Sequence, residues 1–339
     1  MGWCAPTSEV LAPEPVVDRA HRRLEDALAP VTVIVAAYQA AGTLDQALAS
    51  VAGQSVAPAE VVVADDGSTD DTVEVAQRWA GRLPLRVLTT AVNHGPSTAR
   101  HRAVEAATQP LVALLDADDL WLPDHVETLL ALYRRHGGVA LARFLRWAPG
   151  SGLGSHPADV APVPAPGAQL RAFARSNFAW IATLFERSLY ERAGGFRAEL
   201  RVGEEWDLYI RMVRLGAVIH RAGHPTALYR VRAGSLMWDD AGIDDRIRVM
   251  ELAAAEAVDG HERRAFAAGR RRFSSERSLL SAYRLASEGR RWAARRAALG
   301  TARGHRRVMV RGAAMVVAPR LTERRRRQAR AEPSGRLRG

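Results

Sequence analysis

Val31-Thr32-Val33-Ile34-Val35-Ala36-Ala37 opens the part of the chain whose reading decides the fold. It is a short β-branched apolar run behind Pro30, as expected of a strand buried on both faces. Leu44, Ala47, Leu48 and Val51 then recur at helical spacing, and Thr43 with Gln46 has the spacing of a capping box. The pattern repeats downstream. It predicts a strand over 60–64 ending at Asp65-Asp66-Gly67-Ser68, a helix over 70–80 and a strand over 85–89. A helix over 97–107 behind the Gly95-Pro96 turn and a strand over 111–115 follow. Strands alternating with helices on short loops predict an α/β fold, a mainly parallel sheet flanked by helices on both faces. Such sheets take ligands at the carboxyl ends of their strands.

Past Asp119 the rhythm loosens. Expected are a helix over 123–135, a strand over 139–144, a return to order over 180–185, a helix over 204–215 and a strand over 218–221. The Pro-, Gly- and Ser-rich stretch 149–167 reads as a mobile loop. From Ile243 onward the chain is rich in Ala and Arg at helical spacing, which predicts a helical tail. Trp206, Tyr209, Ile210 and Val213 share one helical face and are expected in the core.

Composition sets the outer limits. With 339 residues, 47% hydrophobic and 25% charged, the chain can build one catalytic domain with appendages or two small domains. Its single cysteine, Cys4, lies in a Pro- and Ala-rich leader over 1–30 that is expected to be disordered, so no disulfide framework or cysteine metal site is available. No apolar run reaches membrane-spanning length and the first 30 residues lack signal-peptide features, which predicts a cytoplasmic protein. The formal charge of +11 is uneven: arginine crowds the stretch beyond Arg263, whereas residues 31–130 carry many carboxylates.

Those carboxylates carry the chemistry. Asp65 and Asp66 follow the second strand, and Asp116, Asp118 and Asp119 follow the fourth, so both groups fall on the ligand-binding edge. Read alone, each is an acidic turn solvating a strand end. A nucleoside diphosphate brings several negative charges of its own. Carboxylates beside it make sense when a divalent cation lies between, bound by hard oxygen ligands.

Together the segments resemble the family 2 glycosyltransferases of the GT-A fold, over about Val31 to Ser235. The resemblance runs through Ala36-Ala37-Tyr38, Asp65-Asp66-Gly67-Ser68-Thr69-Asp70, Asn93-His94-Gly95-Pro96-Ser97-Thr98-Ala99-Arg100, Leu115-Asp116-Ala117-Asp118-Asp119, Gly194-Gly195-Phe196 and Gly203-Glu204-Glu205-Trp206-Asp207-Leu208. It implies an inverting, metal-dependent transfer of a sugar from a nucleoside-diphosphate sugar, with Mg2+ or Mn2+ as cofactor. The acceptor would be a hydroxyl of a sugar, lipid-linked molecule or polysaccharide. Residues 31–119 would be the nucleotide-binding half, 120–240 the acceptor-binding half and 241–339 a basic helical tail. Ala36 and Tyr38 would line the nucleoside pocket, Asp65 would accept a hydrogen bond from the base, and Arg100 would lie near base or phosphates. Asp116 would face the ribose or support the metal that Asp118 binds. Glu205 stands where the family keeps the Asp that serves as base. Its extra methylene moves the carboxylate by about 1.5 Å. Glu204, Gly195, Arg230 and Arg232 are implied contacts of the diphosphate or the acceptor.

Simpler roles stand beside these. Tyr38 could be a packed aromatic, Arg100 a solvated charge, and acids in the first turn of a helix complement its positive end. The Arg-rich tail, with the apolar segment 308–321 inside it, suits peripheral contact with an anionic leaflet or a solvated helical bundle. A sequence pI near 10.9 raises nucleic-acid binding, but no helix-turn-helix, zinc or RNA-binding signature accompanies it. A nucleotidyltransferase also uses an α/β sheet and a carboxylate-held metal; it would release pyrophosphate rather than a nucleoside diphosphate.

Overall fold

The computed structural model describes residues 28–148, 152–157, 162–231 and 240–303, with Val310 and Ala313. Its first half follows the predicted alternation: β1 (Ala29–Ala37), α1 (Leu44–Ala52), β2 (Pro58–Asp65), α2 (Thr72–Gln77), β3 (Leu85–Thr89), α3 (Pro96–Ala106) and β4 (Leu111–Asp116). These four strands lie parallel in the order β3-β2-β1-β4. The strand order reverses at β1, and a doubly wound sheet opens its ligand crevice at such a point.

The β1 side chains show why both faces had to be apolar. Val31, Val33 and Val35 pack with Leu44, Leu48 and Val51 of α1 on one face. Ile34 packs on the other face with Ala99, Ala103 and Val104 of α3. The period-2 alternation of a strand thus feeds two separate cores.

Beyond β4 come β5 (Leu120–Trp121), α4 (His125–His136), β6 (Val139–Ala148), β7 (Gly152–Pro157), α5 (Gln169–Phe173), β8 (Thr183–Glu186), α6 (Arg187–Arg192), α7 (Glu204–Arg214) and β9 (Ile219–Arg230). β8 joins β4 antiparallel, β6 joins β8 antiparallel, and β9 lies parallel to β6. β6 and β9 therefore run in the same sense as β4, and the carboxyl end of β9 returns to the crevice. The short β5 pairs with it through Leu120 and Leu228.

Three expectations are corrected. Thr43 precedes α1 without capping it: its hydroxyl donates to the Ala40 carbonyl at 3.4 Å, and Gln46 instead accepts from Arg230. The stretch expected as a loop over 149–167 contains β7, which pairs with β6 through Trp147 and Leu153. Gly and Pro are tolerated there because β7 adds only to one edge of β6. The helices expected as a tail are not all appended. α8 (Asp240–Ala255) and α9 (Gly260–Ser287) place Val249, Met250, Ala253, Phe266 and Phe273 in the same core as Ile34. Gly269 lets α9 approach closely, since a Cβ there would stand 2.5 Å from the Ala174 carbonyl oxygen. Among the described residues, α10 (Arg291–Leu299) with the end of α9 forms a small cluster of its own. Of the leader expected over 1–30, residues 1–27 lie outside the described residues while Ala29 and Pro30 open β1, and most of the chain beyond 303 also lies outside them.

Candidate active site

Register brings the first acids together. Ala37 pairs with Asp65 on β2 and Ala36 pairs with Asp116 on β4, so the two carboxylates flank the end of β1. Neighbouring strands lie about 4.8 Å apart, which leaves β1 as the only element between them. Asp65 is 2% exposed; its Oδ2 accepts from the Ser68 amide at 3.2 Å, and its Oδ1 is buried with no hydrogen-bond partner among the described residues. A buried carboxylate oxygen without a donor is costly, so this atom suits a ligand N–H. The adjacent Asp66 does different work. It accepts from the His94 amide at 3.0 Å and the Gly95 amide at 2.7 Å, fixing the loop before α3. Gly67, at φ 77°, lets this loop close, because a Cβ there would meet the Val92 carbonyl carbon at 2.8 Å.

Tyr38, just past β1, is 52% exposed rather than packed. Ala36 is partly buried on the α3 side of the sheet. Gln39 takes a positive φ of 50°, and its side-chain oxygen accepts from the Thr69 amide at 2.8 Å, tying the end of β1 to the turn after β2.

At the end of β4, ligand oxygens of Asp116, Asp118 and Asp119 lie within 4.8 Å of one another. The Asp119 amide closes a turn onto the Asp116 carbonyl at 3.1 Å. Arg230 at the end of β9 secures this turn: its amide donates to Asp119 Oδ1 at 2.9 Å and its Nε to the Asp118 carbonyl at 2.6 Å. Its Nη2 reaches Gln46 at 2.7 Å, and its guanidinium stands 4.2 Å over the Trp147 ring. Arg230, expected as a diphosphate or acceptor contact, thus holds the acidic loop from the end of β9. An all-carboxylate oxygen set fits a hard divalent cation such as Mg2+ or Mn2+.

Arg100 links this loop to the second group of acids. It is buried on α3; Nη2 meets Asp116 Oδ1 at 2.5 Å and Nη1 pairs with Glu204 Oε1 at the start of α7. Burial alone would depress the guanidinium pKa, but the charges of Asp116 and Glu204 outweigh it and hold it above its ordinary value. Glu204 itself is raised by burial despite the pull of Arg100. Its neighbour Glu205 is raised to about 8, first by burial and then by the Glu204 charge. Glu205 remains partly accessible, and Asn177 donates to its Oε1 at 2.9 Å.

Asp207 is excluded from the same role. It is 1% exposed and paired with Arg211 at 2.6 Å and Arg197 at 3.3 Å. Arg211 also donates to the carbonyls of Ala193 and Gly195, so Asp207 anchors the Gly194-Gly195-Phe196 turn to α7. Gly195 is buried, and a Cβ there would meet His101 Nδ1 at 2.9 Å and the Tyr190 hydroxyl at 3.0 Å, so the turn packs closely against α3 and α6. Arg232 lies outside the described residues.

Two residues had no signal in the sequence. Asn177 is a lone amide in a loop, and Asp245 is one acid among many on α8. Asp245 Oδ2 accepts from the Arg201 amide at 3.0 Å and the Val202 amide at 2.9 Å, which fixes the chain immediately before Glu204. Ser97 holds the same loop from α3 through the Leu200 carbonyl.

Residues 32–183 match the sequence model described as glycosyl transferase family 2. The chain belongs to that family. The family 2 glycosyltransferase is 32% identical over 232 residues to the succinoglycan biosynthesis protein ExoU of Rhizobium meliloti, covering 63% of this chain and 66% of that protein. It is 29% identical to the amylovoran biosynthesis glycosyltransferase AmsE of Erwinia amylovora, over 57% of this chain and 72% of the other. The chain thus spans about two thirds of these relatives' own lengths. Its fold is similar to Staphylococcus aureus TarS in complex with UDP-GlcNAc, with TM-score 0.59, 20% identity and coverage of 88% and 92% of the two chains. It is also similar to the mannosyltransferase PcManGT of Pyrobaculum calidifontis, in complex with GDP-Man and Mn2+, with TM-score 0.56, 21% identity and coverage of 93% and 94%. The family-model match ends at residue 183, before α7. Among the described residues, no helix is long and apolar enough to cross a membrane.

Proposed function

We propose that the chain moves a sugar, with inversion, from a nucleoside diphosphate to a hydroxyl of a saccharide or lipid-linked saccharide acceptor. The observation that carries this reading is the continuous line of charge from the Asp116, Asp118 and Asp119 cluster through Arg100 to Glu204 and Glu205. Asp65, with its unpartnered Oδ1, stands on the other side of β1 and suits a donor on the nucleobase. Tyr38 is exposed beside it, as a ring contacting the nucleoside would be.

Asp118, with Asp116 and Asp119, would hold Mg2+ or Mn2+. Bound there, the cation supplies the positive charge that a departing diphosphate requires. The chain's own residues do the rest. Glu205 accepts the proton of the acceptor hydroxyl as its oxygen bonds to the anomeric carbon and the carbon–oxygen bond to the diphosphate breaks. A carboxylate titrating at about 8 is a stronger base than an ordinary glutamate, and its ionised fraction grows as pH rises from neutrality through 8. Asn177 turns it towards its substrate. Relatives named for succinoglycan and amylovoran biosynthesis support an acceptor of polysaccharide type, and neighbours solved with UDP-GlcNAc and GDP-Man support a nucleotide-sugar donor.

The test is a panel of nucleoside-diphosphate sugars incubated with Mn2+ or Mg2+ and saccharide acceptors, with released nucleotide and product anomer measured. Nucleoside diphosphate and a product of inverted configuration are expected. Release of pyrophosphate would instead assign nucleotidyl transfer, and a retained anomeric configuration would remove the single-displacement role of Glu205.

A further inference from the structure

α10 and the last turns of α9 share a small core of Leu279, Ala282, Tyr283, Ala286, Ala294 and Ala298. α10 buries only Ala294 and Ala298. At about 100° per residue, Trp292, Arg295, Arg296 and Leu299 fall together on the opposite side. Trp292 is 78% exposed and Leu299 is 65% exposed. The Arg295 guanidinium stands 5.2 Å over the Trp292 ring. From Arg284 to Arg303, both included, six arginines accompany a single acid, Glu288.

An indole and a leucine held in water between guanidinium groups have the make-up of a helix that lies in a lipid interface. The indole sits at headgroup depth, the aliphatic chain enters the acyl boundary, and the arginines reach lipid phosphates. A stable protein partner would need about 800 Å2 from each side, more than one short helix face offers. Nucleic acid would use the arginines but leave Leu299 without a role. We propose that the Trp292, Arg295, Arg296 and Leu299 face of α10 seats the protein on an anionic bilayer. The proposal stands apart from sugar transfer and can fail without it.

The experiment is sedimentation of the full-length protein with vesicles of phosphatidylcholine alone and with phosphatidylglycerol added, at low and high salt. Binding to the anionic vesicles only, weakened by salt, is expected. Trp292→Ser should weaken it roughly tenfold, as burial of an aromatic side chain predicts. Arg295→Ser and Arg296→Ser should each weaken it about fivefold, from the attraction of one arginine to an anionic surface. Brominated lipid should quench the fluorescence of the parent protein more than that of Trp292→Phe. Circular dichroism checks that each variant folds, and transfer to a soluble acceptor should be unchanged. Equal binding by Trp292→Ser would show that other arginines bind lipid and would overturn the assignment. So would no vesicle binding, or binding to duplex DNA in its place.

Discussion

Replacing Arg100 by methionine tests whether one guanidinium holds the two acid groups together. The side chain is 10% exposed, with Asp116 on one nitrogen and Glu204 on another. Removing one member of a buried ion pair costs about 3–5 kcal/mol, because the partner charge stays buried without compensation. The Asp116 side chain is 29% exposed and water will screen it, whereas the Glu204 side chain is 6% exposed, so most of the loss belongs to Glu204. A cost of about 3 kcal/mol at pH 7 is expected, near the lower end of that range. In a domain of this size it should lower Tm by roughly 6–12 °C. The sign with pH follows from Glu204, whose folded-state pKa already lies above its ordinary value and rises further without Arg100. A carboxyl raised in the folded state is least harmful when protonated. The stability gap between parent and Arg100→Met should therefore be widest at alkaline pH and narrow towards pH 5. Urea unfolding at several pH values measures this gap. Adding Glu204→Gln to Arg100→Met should recover much of the loss, because the neutral amide needs no counter-charge. A gap independent of pH, or a double variant as unstable as the sum of the two singles, would refute the reasoning.

The other predictions concern turnover. The kcat/KM of sugar transfer should rise with pH along a limb centred near 8 as Glu205 loses its proton; Glu205→Gln should remove the limb and slow transfer about 100-fold or more while nucleotide still binds, and a rate flat from pH 6 to 9 would exclude Glu205. Asp118→Asn should abolish the metal-dependent rate together with the Mn2+-dependent thermal shift produced by nucleoside diphosphate, whereas an unchanged shift would move the cation elsewhere. Asp245→Ala leaves the Arg201 and Val202 amides without their acceptor; a stability loss of about 1–2 kcal/mol and a lower kcat at unchanged donor KM are expected, and an unchanged kcat would free Glu205 from this support.

The legible part of the fold is the part written in local patterns. Val31 to Val35 alternate between two cores, and each later strand ends in a turn with few other uses, so β1 to β4 and their acids could be placed in order. β9 was legible only at its start. Its continuation to Arg230 runs through Gly223 and Pro225, which weaken a strand pattern, and depends on its pairing with β6. The arginines of α9 hid its core face. Phe266 and Phe273 stand seven residues apart between basic runs that read as solvated surface, yet both are buried against the main sheet's core. Arg214 helps explain why charge is tolerated there: it pairs with Glu262 at 2.5 Å and stands 5.6 Å from the centre of the Phe266 ring.

The site divides along the same line. A motif names residue types at fixed spacing, so it could set Asp65, Asp116 and Asp118 on one edge. It could not say which acids are already neutralised by the protein. Asp66 is taken by two amides and Asp207 by two arginines, whereas among the described residues Asp65 keeps an oxygen without a hydrogen-bond partner and Glu205 accepts from the Asn177 amide. That difference separates acids that hold the structure from acids able to meet a ligand. It also bears on Glu in place of the family's usual Asp at position 205. A longer side chain would gain rotational freedom and lose aim, but the Asn177 amide, at 2.9 Å from Oε1, restrains it where the extra methylene would otherwise let it swing. Glu205 and its restraint lie 28 residues apart and meet only through the fold, which is why the motif could point to Glu205 as the proposed base and not to its support.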